Sequence, residues 1–177
     1  MRLGLNLGPG MTTAKVEGGG LSGPESDISG FTSGFDLLLG GTVTEGLVLG
    51  GGLLTTYASN PTVKVGSFEA DADGTLILAG VTGFAQYYFD PANGGHLQAL
   101  LGYGALSFEH KNGTSGGNDP GGVLLGIGGG YDFWVSDEWS IGPFARILYG
   151  SLSAESGAAT QKDTYLYPSI GAAFTLH

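Results

Sequence analysis

The chain of 177 residues contains no cysteine. Disulfides and thiolate metal sites are thereby excluded. Charge is also scarce. Charged residues make up 12% of the chain, against ~25% in an ordinary soluble domain. Bases are the scarcest, with six Lys and Arg against sixteen acids and a net charge of −10. Without a basic patch to neutralise phosphates, nucleic acid is not expected as a partner. No apolar run approaches the ~18 residues of a membrane-crossing helix. No Ala- or Leu-rich stretch keeps a 3.6-residue period, which argues against a helical bundle. No signal peptide is visible, because Met1-Arg2 leads straight into Leu3-Gly4-Leu5.

Glycine is what abounds. There are 36, roughly three times the usual share of ~7%. They keep no G-X-Y register, so the chain is not collagen-like. At 41% hydrophobic and 11% aromatic, it is too apolar to be disordered. Its length fits one domain of ~150 residues.

The dominant pattern is period-2 alternation along the whole chain. From Val123 to Val135, odd positions read Val, Leu, Ile, Gly, Tyr, Phe, Val, while even positions are mostly glycine with Asp132. The same reading gives eight strands, at about 2–16, 30–42, 46–58, 75–89, 96–108, 122–135, 139–151 and 164–176. Three connections are tight, at Thr44-Glu45, 90–95 and 136–138. Four are long and rich in Gly, Ser, Asn and Asp, at about 17–29, 59–74, 109–121 and 152–163. Short and long alternate strictly, so every tight turn and both termini share one end.

The placement of charge decides the environment. Of 22 charged side chains, only Asp36, Asp132 and Arg146 sit in strand middles, all opposite the apolar stripe. A soluble barrel needs charged exterior positions along its strands, and neither face supplies them. A bilayer resolves this, since tilted strands of ~9–11 residues span its hydrocarbon. Closure is compulsory there, because an open edge in lipid leaves backbone groups unsatisfied. The expected fold is all-β, a closed, antiparallel, eight-stranded up-and-down transmembrane β-barrel forming a single domain over 1–177.

The hairpin Gly129-Gly130-Tyr131-Asp132-Phe133-Trp134-Val135-Ser136-Asp137-Glu138-Trp139-Ser140-Ile141-Gly142 looks like a barrel hairpin with a tight periplasmic turn between aromatics. The last strand, Ile170 to His177, is similar to a C-terminal barrel-assembly signal. The usual terminal aromatic would fall one position past His177, so either the end is trimmed or Phe174 serves. On these segments the whole chain resembles the small eight-stranded outer-membrane β-barrels of Gram-negative bacteria. The resemblance implies the bacterial outer membrane as location, with the tight turns periplasmic and the long loops outside.

Candidate site residues follow from this frame. Tyr87, Phe89, Phe133, Trp139 and Phe174 form one expected interface belt, near the tight turns. Phe31, Tyr57, Tyr103 and Tyr149 form the other, nearer the long loops. Asp36, Asp132, Arg146 and Gln86 are the expected polar network of the lumen. Buried charges must be paired or wet, so Arg146 is expected to reach across to either carboxylate as a plug, as the one base among the three charges. A gate in a pore is the alternative reading. Inward glycines free volume for Phe108, Trp134, Phe144, Tyr165 and Tyr167, or else for a small apolar ligand. Pro9, Pro143 and Pro168 each remove a ladder donor. They are expected at β-bulges or strand ends, or else at a weakened seam.

No catalytic set emerges. Ser107-Phe108-Glu109-His110 lies at the long-loop rim, but alternation sends Ser107 and His110 to opposite sides. Glu69, Asp71 and Asp73 are a weak Ca²⁺ candidate without a full oxygen-ligand loop. No cofactor is expected, and the protein is read as a monomer whose partners are membrane lipids. Nine loop acids, Glu25, Asp27, Glu69, Asp71, Asp73, Glu109, Asp119, Glu155 and Asp163, outnumber Lys64, Lys111 and Lys162. Anionic lipopolysaccharide would therefore need divalent cations as bridges. The expected role is non-enzymatic, structural or surface-recognising. A narrow channel or carrier for small apolar or cationic molecules is second, and a lipid-modifying enzyme third.

Overall fold

The computed structural model describes residues 1–18, 21–23, 25–90, 93–111, 119–156 and 159–177. Pro91 and Ala92 of one tight turn, and parts of the first, third and fourth long connections, lie outside the described residues. Among the described residues twelve strands are formed: β1 (Arg2–Gly18), β2 (Leu21–Ser22), β3 (Ser26–Thr44), β4 (Leu47–Ser59), β5 (Thr62–Val65), β6 (Phe68–Asp71), β7 (Gly74–Tyr88), β8 (Gly95–His110), β9 (Gly121–Tyr131), β10 (Phe133–Trp134), β11 (Trp139–Ser156) and β12 (Ala159–Leu176).

Eight of these form a closed ring. In the order β1, β3, β4, β7, β8, β9, β11, β12, each pairs antiparallel with the next, and β12 pairs back onto β1. A path of paired residues from Leu5 runs through Phe35, Thr55, Ala79, Ala105, Gly121, Ser153 and Lys162. It re-enters β1 at Lys15, ten residues from its start. Eight strands with that stagger tilt by about 40° and enclose a cylinder of about 8 Å radius. Such an interior is just wide enough for side chains to fill.

Alternation then sorts the residues. On β1, Leu5, Leu7, Pro9 and Met11 face outward, while Arg2, Gly4, Asn6 and Thr12 face inward. On β12 the outward apolar residues run from Leu166 to Phe174, with Lys162 and Thr164 above them. The upper ends of β1 and β12 therefore stand clear of the apolar band.

Three boundary expectations are corrected. The connection 59–74 is not an open loop. It holds the β5–β6 hairpin, which turns at Gly66 (φ 61°) and pairs with β3 through Ser26–Val65 and Ser29–Thr62. The strands also run further outward than expected, β1 to Gly18 and β12 from Ala159. Thr and Val favour a pleated surface once a neighbouring strand is present, and polar residues there face water.

The expected strand 122–135 breaks at Asp132, between β9 and β10. Its amide instead donates to the Gly94 carbonyl (2.9 Å).

The prolines are also placed. Pro143 and Pro168 sit in the continuous β11–β12 register, and the β1–β3 register runs straight through Pro9. None marks a bulge; the register shift on β3 lies at Thr42–Thr44. Pro9 and Pro168 instead face each other across the β1–β12 seam. The pairs flanking them, Leu7–Ile170 and Met11–Leu166, keep one register, and the three positions between are unpaired. Two rings without N–H groups meet there, so the ladder has nothing to donate.

Candidate functional site: the filled lumen

The lumen is occupied in layers. Nearest the tight turns lies an ionic layer around Asp132, which is 1% exposed. Its carboxylate accepts from the Tyr88 hydroxyl (2.7 Å) and from Arg2 Nη1 (3.3 Å). His96 Nδ1 lies 3.7 Å from the same carboxylate and donates to the Gly94 carbonyl (3.1 Å). Gln86 donates to the Tyr88 oxygen (2.7 Å), and Gln98 donates to Gln86 (3.0 Å). Below it, His177 Nε2 and Ser140 Oγ lie 2.7 Å apart, with the His177 ring against Trp134.

Higher up, Arg146 Nη2 donates to Asp36 Oδ1 (2.9 Å). Asn6 donates to the other oxygen of Asp36 (3.2 Å), and Tyr167 donates to Asn6 Oδ1 (2.8 Å). Glycine makes the room. Gly4 pairs with Asp36, and a Cβ on it would stand 3.0 Å from Asp36 Oδ2. The Phe144 ring sits between the two layers, with the Arg2 and Arg146 guanidiniums 5.5 and 5.7 Å from its centre. Cations over a ring face are attracted by its quadrupole.

Apolar layers complete the filling. Leu38, Phe84 and Leu100 form a small cluster with Val48 packed on it. Leu54, Leu78, Leu106, Leu124, Leu148, Tyr165 and Tyr167 form the larger one, with Phe108 and Ile28 at its edge. Tyr165 is tied across the lumen to Thr56 (2.9 Å).

This corrects the expected plug. The sequence offers Arg146 as the one base for either carboxylate. The structure gives it Asp36 alone and gives Asp132 to Arg2, so the two pairs balance. Position 2 reads as a chain end, yet its parity with Gly4 and Asn6 marks it as inward. The lumen roles of Tyr88, His96 and Gln98 are hard to see in the sequence for a related reason. Each shares the inward parity of Gln86 but lies close to a turn. Gln86 belongs to the network through Tyr88. Among the large residues expected inside, Phe144, Tyr165 and Tyr167 are buried, whereas Trp134 is 42% exposed at the lower mouth.

The nine belt aromatics, Phe31, Tyr57, Tyr87, Phe89, Tyr103, Phe133, Trp139, Tyr149 and Phe174, are all exposed on the outer wall, at 40–70%. The Ca²⁺ candidate is not assembled. Asp71 accepts from Thr62, Asp73 pairs with Lys111, and Glu69 stands opposite Lys64. Among the described residues no group of three His or acidic side chains converges on a metal position. His110 packs on Phe108 and Ser107 pairs with Ile77, so the two form no nucleophile–base pair.

The autotransporter beta-domain family matches residues 10–174, nearly the whole ring. The chain belongs to the autotransporter beta-domain family. It is a β-barrel of the Gram-negative outer membrane. No curated protein matches it in sequence. Among solved structures it is similar to Neisserial surface protein A, at 14% identity and TM-score 0.48 over 97% of both chains. It is also similar to the outer membrane protein OprG from Pseudomonas aeruginosa, at 13% identity and TM-score 0.48. The match covers 99% of this chain and 96% of that one. The outer membrane protease OmpT from Escherichia coli is similar at 12% identity and TM-score 0.48, with the same coverage.

Proposed function

We propose that this autotransporter beta-domain protein is a closed, non-conducting membrane anchor whose role is carried by its outer rim. It is non-enzymatic and works by surface recognition. The observation that supports the reading is the filled lumen. Two ion pairs balance each other, and Leu54, Leu78, Leu124 and Leu148, each at most 2% exposed, lie above them. An ion would have to cross both an apolar layer and two neutralised pairs, with little water to carry it. The outer rim, by contrast, is built out by the β5–β6 hairpin, where Phe68 is 69% exposed.

Planar-bilayer recording tests this. The unaltered protein is expected to show no steady conductance. Steady conductance would overturn the anchor and favour the narrow channel.

The rim's acids suit lipopolysaccharide bridged by divalent cations. Asp163 does not count among them, because it lies inside the barrel mouth, 2% exposed. Glu25, Asp27, Glu69, Asp71, Asp73, Glu109, Asp119 and Glu155 still exceed the rim lysines. Lipopolysaccharide association is expected to weaken in chelator. Binding that chelator leaves unchanged counts against the bridge.

A further inference from the structure

The outer mouth of the barrel holds a cup of about 300 Å³. Its walls come from six strands. Thr12 and Ala14 lie on β1, Ile28 on β3, Val63 on β5, Leu76 on β7, and Leu106 with Phe108 on β8. Gln161 and Asp163 of β12 close the ring, and Ala72 and Pro120 form the lip. The lip is pinned by the Leu106 amide, which donates to the Pro120 carbonyl (2.9 Å).

Two polar atoms in this wall have no partner among the described residues. Asp163 is 2% exposed; Gln161 donates to its Oδ2 (2.8 Å), but Oδ1 is buried and unpartnered. Thr12, also 2% exposed, has an unpartnered hydroxyl oxygen. They are close by construction, because Ala14 pairs with Asp163 and Thr12 with Tyr165. Buried polar groups are nearly always satisfied, so an unsatisfied pair in a cavity wall calls for an occupant. Among the described residues lining the cup the formal charges are Asp163 and Asp119, and none is basic.

We propose that this cup binds a small organic cation, with an ammonium head on Asp163 Oδ1 and Thr12 Oγ1 and an apolar body against Ile28, Leu76, Leu106 and Phe108. The chemistry selects that class. An ammonium brings donors only, and both orphan atoms can accept. An anion would meet two carboxylates. A bare divalent cation would want six or more oxygens, and the wall is largely aliphatic and aromatic. Small-ligand pockets share this make-up, mostly apolar with a few placed polar groups. Burial holds the Asp163 carboxyl above its ordinary range, with Gln161 opposing in part. A cationic partner would reverse that shift. Asp163 stands above the apolar band, so such a ligand arrives from the outer aqueous side.

The inference rests on the closed-lumen reading for the floor of the cup. Binding and conductance are therefore measured on one nanodisc preparation. Calorimetry with 2-phenylethylammonium, against empty nanodiscs, is expected to show one saturable site per chain. Asp163→Asn should weaken binding roughly tenfold or more, as expected for a lost charge-assisted hydrogen bond. Ala72→Phe fills the lip from outside the strands and should abolish it. 3-Phenylpropionate should not bind.

Absence of binding to the folded, non-conducting protein would overturn the inference and leave the anchor reading intact. Equal binding by Asp163→Asn, equal binding of the anion, or full displacement by calcium chloride would also overturn it. Conductance in the same preparation would instead overturn the reading beneath it.

Discussion

Arg146 and Asp36 show how a buried charge is tolerated in this barrel. Both are nearly inaccessible, and every oxygen of Asp36 has a donor. Removing one partner leaves the other unmatched. Arg146→Ala is therefore expected to cost about 3–5 kcal/mol in urea unfolding from lipid vesicles. Replacing both, Arg146→Leu with Asp36→Leu, should be near neutral, because apolar groups of similar size avoid the desolvation cost. If the double variant is as unstable as the single, the pair acts through more than charge balance.

Asp163 makes the opposite case. Its folded pKa is raised by burial, so its contribution to stability is full below the unfolded value of ~3.9 and is lost as pH rises through the folded one. Asp163→Asn should flatten that decline in a pH series of unfolding midpoints. An unchanged series would mean the carboxyl is not buried in solution. Residue-scale legibility followed parity. Asp36, Arg146 and Gln86 could be read as inward because they lie on the face opposite the apolar stripe. Arg2 and Tyr88 share that parity but were hidden by their closeness to a chain end and a turn.

At the scale of the strand, alternation was legible almost everywhere it is enforced by lipid. Inside the band, one face must be apolar, and the eight strands stand where the pattern puts them. Beyond the band that pressure ends. Thr160, Thr164, Lys162 and Lys15 alternate nothing, yet β1 and β12 continue because their backbones are already paired. The β5–β6 hairpin was missed for the same reason. Within the band the two faces should respond differently to charge. Ile127, 66% exposed, should lose about 2–4 kcal/mol as Ile127→Arg, from lipid contact. Gly128→Arg faces inward and has no space, since even a Cβ would come within 3.0 Å of Arg146 Cβ. It should fail to fold rather than merely lose stability. Equal, small effects from both would argue against embedding. The proline seam makes a further element-scale expectation. In hydrogen exchange, the seam-directed amides flanking the gap, at Leu7, Met11, Leu166 and Ile170, should exchange faster than those at Leu5 and Ala172. Uniform protection would mean that the gap closes in lipid.

For the molecule as a whole, topology sets what the cell surface meets. The β5–β6 hairpin and the other long connections share one end, and the turns at Glu45-Gly46 and Ser136–Glu138 share the other. Protease added to intact cells should cut near Gly66 before any tight turn; cleavage near Asp137 would invert the orientation. The ring has one more consequence. The Met1 ammonium donates to the Leu176 carbonyl (2.6 Å), so the two ends of this chain are already neighbours. Geometrically, residues 1–177 close on themselves at that spot. A circular permutant could be opened at Gly66-Ser67 instead, with His177 joined to Met1 by a short Gly-Ser linker. Exposed turn tips are where such reopening is tolerated. Refolded in micelles, the permutant should regain the parent's heat-sensitive electrophoretic mobility and near-ultraviolet circular dichroism, with the order of synthesis changed and the order of neighbours kept.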